Sequence, residues 1–387
     1  MDENPVQETQ PILETPVQAP EQLKEIPKEI SPNSDDRIVF DCAFQGSEAG
    51  GQVLRTALTI STLLSKPIEI INIRQNRPNP GLQAQHLTAV KLLATLTSAK
   101  LEKAEMNSTS LFFSPKKIHG GDYNINIGTA GSVTLLLQTI MVPLLFCNEK
   151  ISLRIIGGTD VKFAPSVNYL KEVFLPIANK IGSRFDLRIV KRGYFPKGQG
   201  TVLFESLPAK LPLKAINFQG HQELDFVRIF SHSCGLPRDV VVNQARGAKK
   251  ILNSLSCDVV EELDSKEFKD AVGSGIDIVG FFKEGNRFGV NELGERGVDS
   301  LTVGANAGQK FLKELQTGKP VDSHLADQLI PFMALAKGKS IFETTEITPH
   351  TLTNIAVCEK LLGVKFNVLG NKGEPGTIFC QGLSFSK

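Results

Sequence analysis

Tryptophan is absent from the 387 residues and tyrosine occurs three times, so 23 phenylalanines carry nearly all of the aromatic content. That is a packing preference and points to no chemistry. The six cysteines (Cys42, Cys147, Cys234, Cys257, Cys358 and Cys380) are scattered, with no CxxC pair. A metal cluster of ordinary spacing and a disulfide framework are both disfavoured. Reduced thiols in the cytosol or nucleus are expected, the more so as the chain opens without a signal peptide. The longest apolar stretch, Val133 to Cys147, contains Gln138 and Pro143. It is too short to span a bilayer and is expected to be a buried core helix. No membrane partner is implied. Charge of one sign is also missing. With 43 Lys and Arg against 41 Asp and Glu, the net charge is +2. A broad basic surface for nucleic acid is not indicated, whereas a nucleic-acid end gripped by a few arginines is compatible with it. Finally, there is no GxxxxGK[ST], so no P-loop.

What is present is ordinary globular composition, 41% hydrophobic and 22% charged, with a mean hydropathy of -0.06. Residues 1–36 are the exception. They are rich in Pro, Glu and Gln, cannot bury enough surface to offset their ordering entropy, and are expected to be disordered. From Ile38 onward a unit of two apolar-periodic helices with neighbouring strands occurs three times. The helices are expected at Gly51–Ser65 and Gly81–Ala99, at Gly131–Cys147 and Pro165–Ile181, and at His324–Ala336 and His350–Leu362. Strands alternating with helix pairs predict an α/β (α+β) layer architecture. The stretch 215–317 breaks the pattern, with a strand at Ile276–Phe282 and a helix at Ala305–Leu315, and is expected to be an inserted small domain. The main domain would then comprise 37–214 and 318–387.

Four stretches could carry chemistry. Gly46 to Arg55 places small residues ahead of an apolar helix, where backbone N–H groups can approach an anion and Glu48 could hold a divalent cation. Arg74-Gln75-Asn76-Arg77 lies in a Pro/Gly-punctuated loop and suits phosphate recognition by forked guanidinium groups, with Gln85 and His86 one turn into the next helix. Gly128 to Ser132 leads into the helix carrying Gln138, whose amide needs a partner if buried, and Gly157 to Asp160 precedes Pro165. Pro349-His350 opens a helix, where the dipole opposes a charged imidazole and a neutral ring keeps a lone pair for attack. Each stretch taken singly has a bland explanation: a tight turn, a solvated loop, a helix–helix hydrogen bond, a capping histidine. Their recurrence at comparable places in the three units favours helix N-termini that converge on one anion site.

In order and together, these stretches resemble the RNA 3'-terminal phosphate cyclase family. The matching segments are 48–55, 73–90, 128–138, 157–165, 192–200, 325–336 and 350–356. The resemblance implies three βαβαββ-like units with a smaller inserted domain. It also implies an ATP-dependent enzyme of the ligase class that converts an RNA 3'-terminal phosphate to a 2',3'-cyclic phosphate. The route would pass through a covalent histidine–AMP and an RNA-adenylate. The family nucleophile matches His350 and the divalent-metal ligand (Mg or Mn) matches Glu48. Gln138 lies where the family contacts adenine and Pro165 where it packs on that base. Arg55, Arg74, Arg77, Gln85 and His86 match the polar residues of the nucleotide and phosphate site, and Asp327 and Gln328 an element beside the nucleotide. His324 stands where some members carry a tyrosine that stacks on adenine. The glycine runs are interrupted here, as Ala49-Gly50-Gly51 and Gly198-Gln199-Gly200. Two other functions share the pattern: a non-catalytic cyclase-like factor of ribosome assembly, which would lack the histidine, and an enolpyruvyl-transferase-like enzyme, which would need no ATP.

Overall fold

In the computed structural model, which describes residues 37–44, 50–268 and 271–386, the chain is an α+β protein of four small mixed sheets packed against helices. The expected tail at 1–36 and Glu48 lie outside the described residues. The first sheet holds β1 (Ile38–Asp41), β2 (Ile68–Ile71), β3 (Lys100–Glu102) and β4 (Leu111–Ser114) in the order β1-β2-β4-β3. β1 and β2 are parallel, so the chain must cross over between them, and α1 (Gly51–Leu64) makes that crossing. α2 (Ala84–Thr97) then joins β2 to β3.

The second sheet repeats this arrangement. β5 (Gly121–Asn126), β6 (Ile151–Gly157), β7 (Phe185–Lys191) and β8 (Gly200–Ser206) run in the order β5-β6-β8-β7. α3 (Val133–Leu144) crosses between its parallel pair. α4 (Val167–Tyr169), a π-helical turn (Leu170–Phe174) and α5 (Leu175–Ile181) form one helical run before β7. A third sheet begins with β9 (Asn217–Phe218), and the chain then leaves it. The excursion holds β10 (Leu224–Cys234), α6 (Asp239–Leu252), β11 (Asp258–Lys266), β12 (Gly273–Phe282), β13 (Arg287–Leu293) and α7 (Ser300–Leu315). On its return α8 (Ser323–Leu335) leads to β14 (Lys337–Thr344), and α9 (Pro349–Leu362) to β15 (Phe366–Leu369) and β16 (Gly376–Leu383). The order β15-β16-β14-β9 is that of the first two sheets. β9 falls inside the span 215–317 yet pairs with β14.

Local chemistry sets where the helices begin. The starts expected at Gly131 and Pro165 fall two residues later, because hydroxyls just beyond them cap the first turns. Ser132 Oγ accepts from the Leu135 N–H (3.2 Å) and Ser166 Oγ from that of Tyr169 (2.9 Å). The start expected at Gly81 moves to Ala84, since Gly81 sits at φ 76° in the left-handed region. α7 begins five residues before Ala305 because Asp299 accepts from the N–H groups of Leu301 (3.0 Å) and Thr302 (3.2 Å).

α3 is apolar around most of its circumference and buried accordingly, against α1, α2 and α8. α9 packs on both α1 and α8. Three polar contacts fix these helices relative to one another. Thr59 Oγ1 donates to the Thr139 carbonyl (2.7 Å), Thr56 Oγ1 to Asn354 Oδ1 (2.7 Å), and Asn354 Nδ2 to the Asp327 carbonyl (2.8 Å). The start of α1, the start of α9 and the middle of α8 are thereby held together.

The excursion has its own core, in which Ile229, Ile276, Ile278 and Phe311 are fully buried. Its helices touch through Gly247 and Gly304, where a Cβ would collide with the carbonyls of Leu301 and Gln244 respectively. At its junction with the second sheet, four ionisable side chains are buried together. Arg192 reaches Asp160 Oδ2 (3.4 Å), and His232 Nε2 lies 3.1 Å from Asp277 Oδ2 and 3.6 Å from Asp160 Oδ1. The two carboxylates and the imidazole are close enough to share a cation. Much of their capacity is already used, however: Asp277 accepts from Ser166 and Asn168, and Asp160 from Thr159.

Candidate active site

A cavity of about 1820 Å³ is lined by every expected site residue that the structure describes. His350 is the second residue of α9, behind the Thr348 cap, whose Oγ1 accepts from the Thr351 N–H (3.0 Å). Its side chain is exposed, and its carbonyl accepts from Gln52 Nε2 (3.3 Å) in the first turn of α1. Two helix N-termini therefore meet at His350. Each brings backbone N–H groups without intrahelical partners, which favours an anion between them.

Beside the start of α1 stand Arg55, one turn along the same helix, and His86 on α2. Burial lowers the Arg55 pKa to about 10, partly opposed by Asp327, so the guanidinium remains a cation at neutral pH. His86 is driven down to about 3 by burial and then by Arg55 and Arg74. Its ring is therefore neutral. Because Nδ1 accepts from the Gln83 N–H (3.3 Å), the proton belongs on Nε2, and His86 presents a neutral donor. Gly51 makes this possible: a Cβ there would collide with His86 Nε2.

Arg74, at φ 55°, spends Nη1 on the carbonyls of Asn79 (2.5 Å) and Gly81 (3.0 Å). It braces the loop that carries the exposed Arg77, whose guanidinium lies about 3.1 Å from where a Gly50 Cβ would stand. Gln85 Oε1 accepts from the Ser132 N–H (3.0 Å), tying α2 to the cap of α3. Gln138, Pro165, His324, Asp327 and Gln328 line the same cavity, and His324 meets Tyr169 edge-on at 6.0 Å. Glu48 lies outside the described residues, so the cation expected there has no geometry.

Sequence reasoning missed Gln52 and Thr353. Gln52 Oε1, Thr353 Oγ1 and Gln328 Oε1 are buried without a hydrogen-bond partner among the described residues, and all three residues line this cavity. Such atoms are rare in folded proteins, and three around one cavity fit a polar ligand. Helical spacing from His350 was an available signal for Thr353. Gln52 lay within the matching segment 48–55 without being singled out.

Asp327 sets a pH dependence. Burial raises its pKa from 3.8 to about 7, opposed by Arg55 and reinforced by Asp322. Below about pH 4 the carboxyl is protonated in both folded and unfolded chains. Above that the unfolded chain loses the proton first, so this group's contribution to stability falls as pH rises towards 7. Asp327→Asn should therefore gain on the wild type by on the order of 2 kcal/mol between pH 4 and 8, allowing for screening by cavity water. Denaturant midpoints of both proteins across that range check it. A constant offset would remove Asp327 as the source.

Residues 46–368 match the family model for RNA 3'-terminal phosphate cyclase. A protein of that name from Methanopyrus kandleri is 40% identical over 339 residues, covering 86% of this chain and 95% of its own length. One from Methanococcoides burtonii is 44% identical over 321 residues, covering 83% and 94%. Among solved structures, EPSP synthase of Acinetobacter baumannii aligns with 90% of this chain and 65% of its own at 11% identity and a TM-score of 0.26, a likeness that bears on neither fold nor function. With the match spanning the whole cavity lining and reaching into every sheet, the chain belongs to the RNA 3'-terminal phosphate cyclase family.

Proposed function

We propose that this protein converts an RNA 3'-terminal phosphate to a 2',3'-cyclic phosphate with ATP, through a covalent adenylate on His350. The observation that carries the reading is the meeting of an exposed histidine, paired helix N-termini, arginines and buried amide oxygens without a hydrogen-bond partner among the described residues, in one cavity of a cyclase-family chain. A nitrogen of the His350 ring attacks the α-phosphorus of ATP, the bond to the bridging oxygen breaks, and pyrophosphate leaves. An oxygen of the RNA 3'-phosphate then attacks the AMP phosphorus and the P–N bond breaks. The ribose 2'-OH attacks the activated 3'-phosphorus, loses its proton, and releases AMP.

Charge grows on non-bridging oxygens at each transfer. Arg55 and the neutral donor His86, held by Gly51, stabilise it without a shift of protonation near pH 7. Arg77, on the loop braced by Arg74, meets the RNA 3'-phosphate. Gln138 reads the adenine edge, and Pro165 and His324 flank the base. Gln85 ties α2 to the cap of α3, and Asp327 and Gln328 stand beside the nucleotide. Glu48 is assigned a divalent cation (Mg or Mn), which supplies charge neutralisation on the phosphates. We take 215–317 as an inserted domain of the main unit. No helix among the described residues is long and apolar enough to cross a membrane; a cytosolic or nuclear setting fits six scattered cysteines with no CxxC pair.

The test uses α-labelled ATP with Mg²⁺. Acid-labile label is expected on the protein. Addition of a 3'-phosphorylated RNA should discharge it as AMP and leave an end resistant to phosphatase. An unlabelled protein and an unchanged RNA end would overturn the reading.

A further inference from the structure

Two phenylalanines stand in water at the wall of this cavity. Phe163 is 98% exposed and Phe195 is 76% exposed, and both line the cavity that holds His350. A solvated phenyl contributes nothing to the core. Phe163 also sits at φ 63°, a left-handed backbone that bulky side chains avoid. Exposure and strain at one residue indicate binding, since neither helps the fold.

The two rings share one scaffold. Phe163 lies three residues beyond Asp160, and Phe195 directly follows Tyr194; Asp160 and Tyr194 pair as a parallel bridge. The N–H of Thr159 donates to the Gly193 carbonyl (2.8 Å), and that of Gly198 to the Tyr194 carbonyl (2.7 Å). Behind them Tyr194 is locked by its hydroxyl contact with His232 Nδ1 (2.7 Å). The inserted domain abuts the same place, for a Cβ on Gly273 would collide with the Tyr194 ring. Its neighbour Val272, 48% exposed, continues the apolar rim. Cations lie on the same wall: Arg296 and Lys162, the latter paired with Glu295 (2.7 Å), line the cavity, and exposed Lys197 follows Phe195 by two residues.

We infer that Phe163 and Phe195 form a stacking platform for the bases that precede the RNA 3' end. The inference rests on the proposed RNA-end chemistry and names how the strand reaches that site. A strand whose terminal phosphate lies among the arginines has to continue along a cavity wall. This wall offers flat apolar faces beside cations, the combination that holds single-stranded nucleic acid without reading its sequence. It also fits a chain whose net charge is only +2. Affinity comes from stacking at a few positions where a basic surface is missing.

The experiment compares a 3'-phosphorylated ten-nucleotide RNA with a nucleoside 3'-monophosphate, both by equilibrium competition, in wild type, Phe163→Ala, Phe195→Ala and Phe163→Trp. The wild type should prefer the oligonucleotide. Each alanine variant should weaken oligonucleotide binding by roughly 5- to 100-fold, the range for loss of one stacked base. Mononucleotide binding and labelling by ATP should not change, and Phe163→Trp should retain wild-type affinity. The platform is overturned if the alanine variants bind the oligonucleotide within twofold of wild type. It is equally overturned if mononucleotide binding or ATP labelling falls in parallel, which would place the rings at the nucleotide. Wild-type protein that takes no label from ATP, yet binds the oligonucleotide through these rings, would sink the cyclase chemistry and leave the platform standing.

Discussion

His350→Ala should abolish the protein-bound AMP and lower RNA cyclisation by on the order of 10³-fold or more, while the unfolding midpoint stays within about 0.5 kcal/mol of wild type. The side chain is exposed and is not part of the helix cap, which belongs to Thr348. Three histidines line the cavity, and the geometry separates them. The neutral His86 has Nδ1 occupied by the Gln83 N–H, which leaves a proton and no lone pair on Nε2, so it can donate but not attack. His324 faces the cavity edge-on to Tyr169 and is the control. His324→Ala should keep the label and weaken ATP binding, as expected of a group beside the base. Label that survives in His350→Ala and disappears in His324→Ala would exchange their roles.

The fold was legible in the sequence where periodicity is local and long. All six helices expected in the repeated units exist, displaced by two or three residues wherever a cap lay beyond the Gly or Pro that suggested the start. Ser132 and Ser166 show the reason. A hydroxyl bonding its own first turn outweighs the preceding breaker as a boundary signal. The stretch 215–317 was read poorly: β10, β11, β13 and α6 were not anticipated. Their apolar positions are interrupted by charges, as in Asp258-Val259-Val260-Glu261-Glu262 of β11, whose outer face is wet. The expected site residues all line one cavity, apart from Glu48, which is not described. What no motif carried was pairing at a distance. Gln52 is separated from His350, and Asp160 from His232 and Asp277, by long stretches of chain that only the packed helices and the insert bring together.

That buried junction supports the second large effect. Arg192→Met should destabilise the protein by about 3–5 kcal/mol, the usual consequence of removing one partner from a buried charge network. Burial opposes the Arg192 cation, yet Asp160, then Tyr194, Asp277 and Asp264, raise its pKa above the ordinary value. The guanidinium contacts Asp160 Oδ2 (3.4 Å), Asn168 Oδ1 (3.3 Å) and Asp264 Oδ2 (3.4 Å). Without it, Asp160 is left fully buried, with Oδ1 already lacking a hydrogen-bond partner among the described residues. Asp160→Asn added to Arg192→Met removes the uncompensated charge, so the double variant should recover a large part of the loss. Denaturant unfolding of the four proteins in the cycle measures this directly. Chelator should leave the wild-type midpoint in place, because Arg192 and the side chains around Asp277 already balance the carboxylates. A chelator-induced fall would instead make Asp160, His232 and Asp277 a metal site. Equal losses in single and double variants would show that packing of the arginine stem, and not charge, holds the insert against the second sheet.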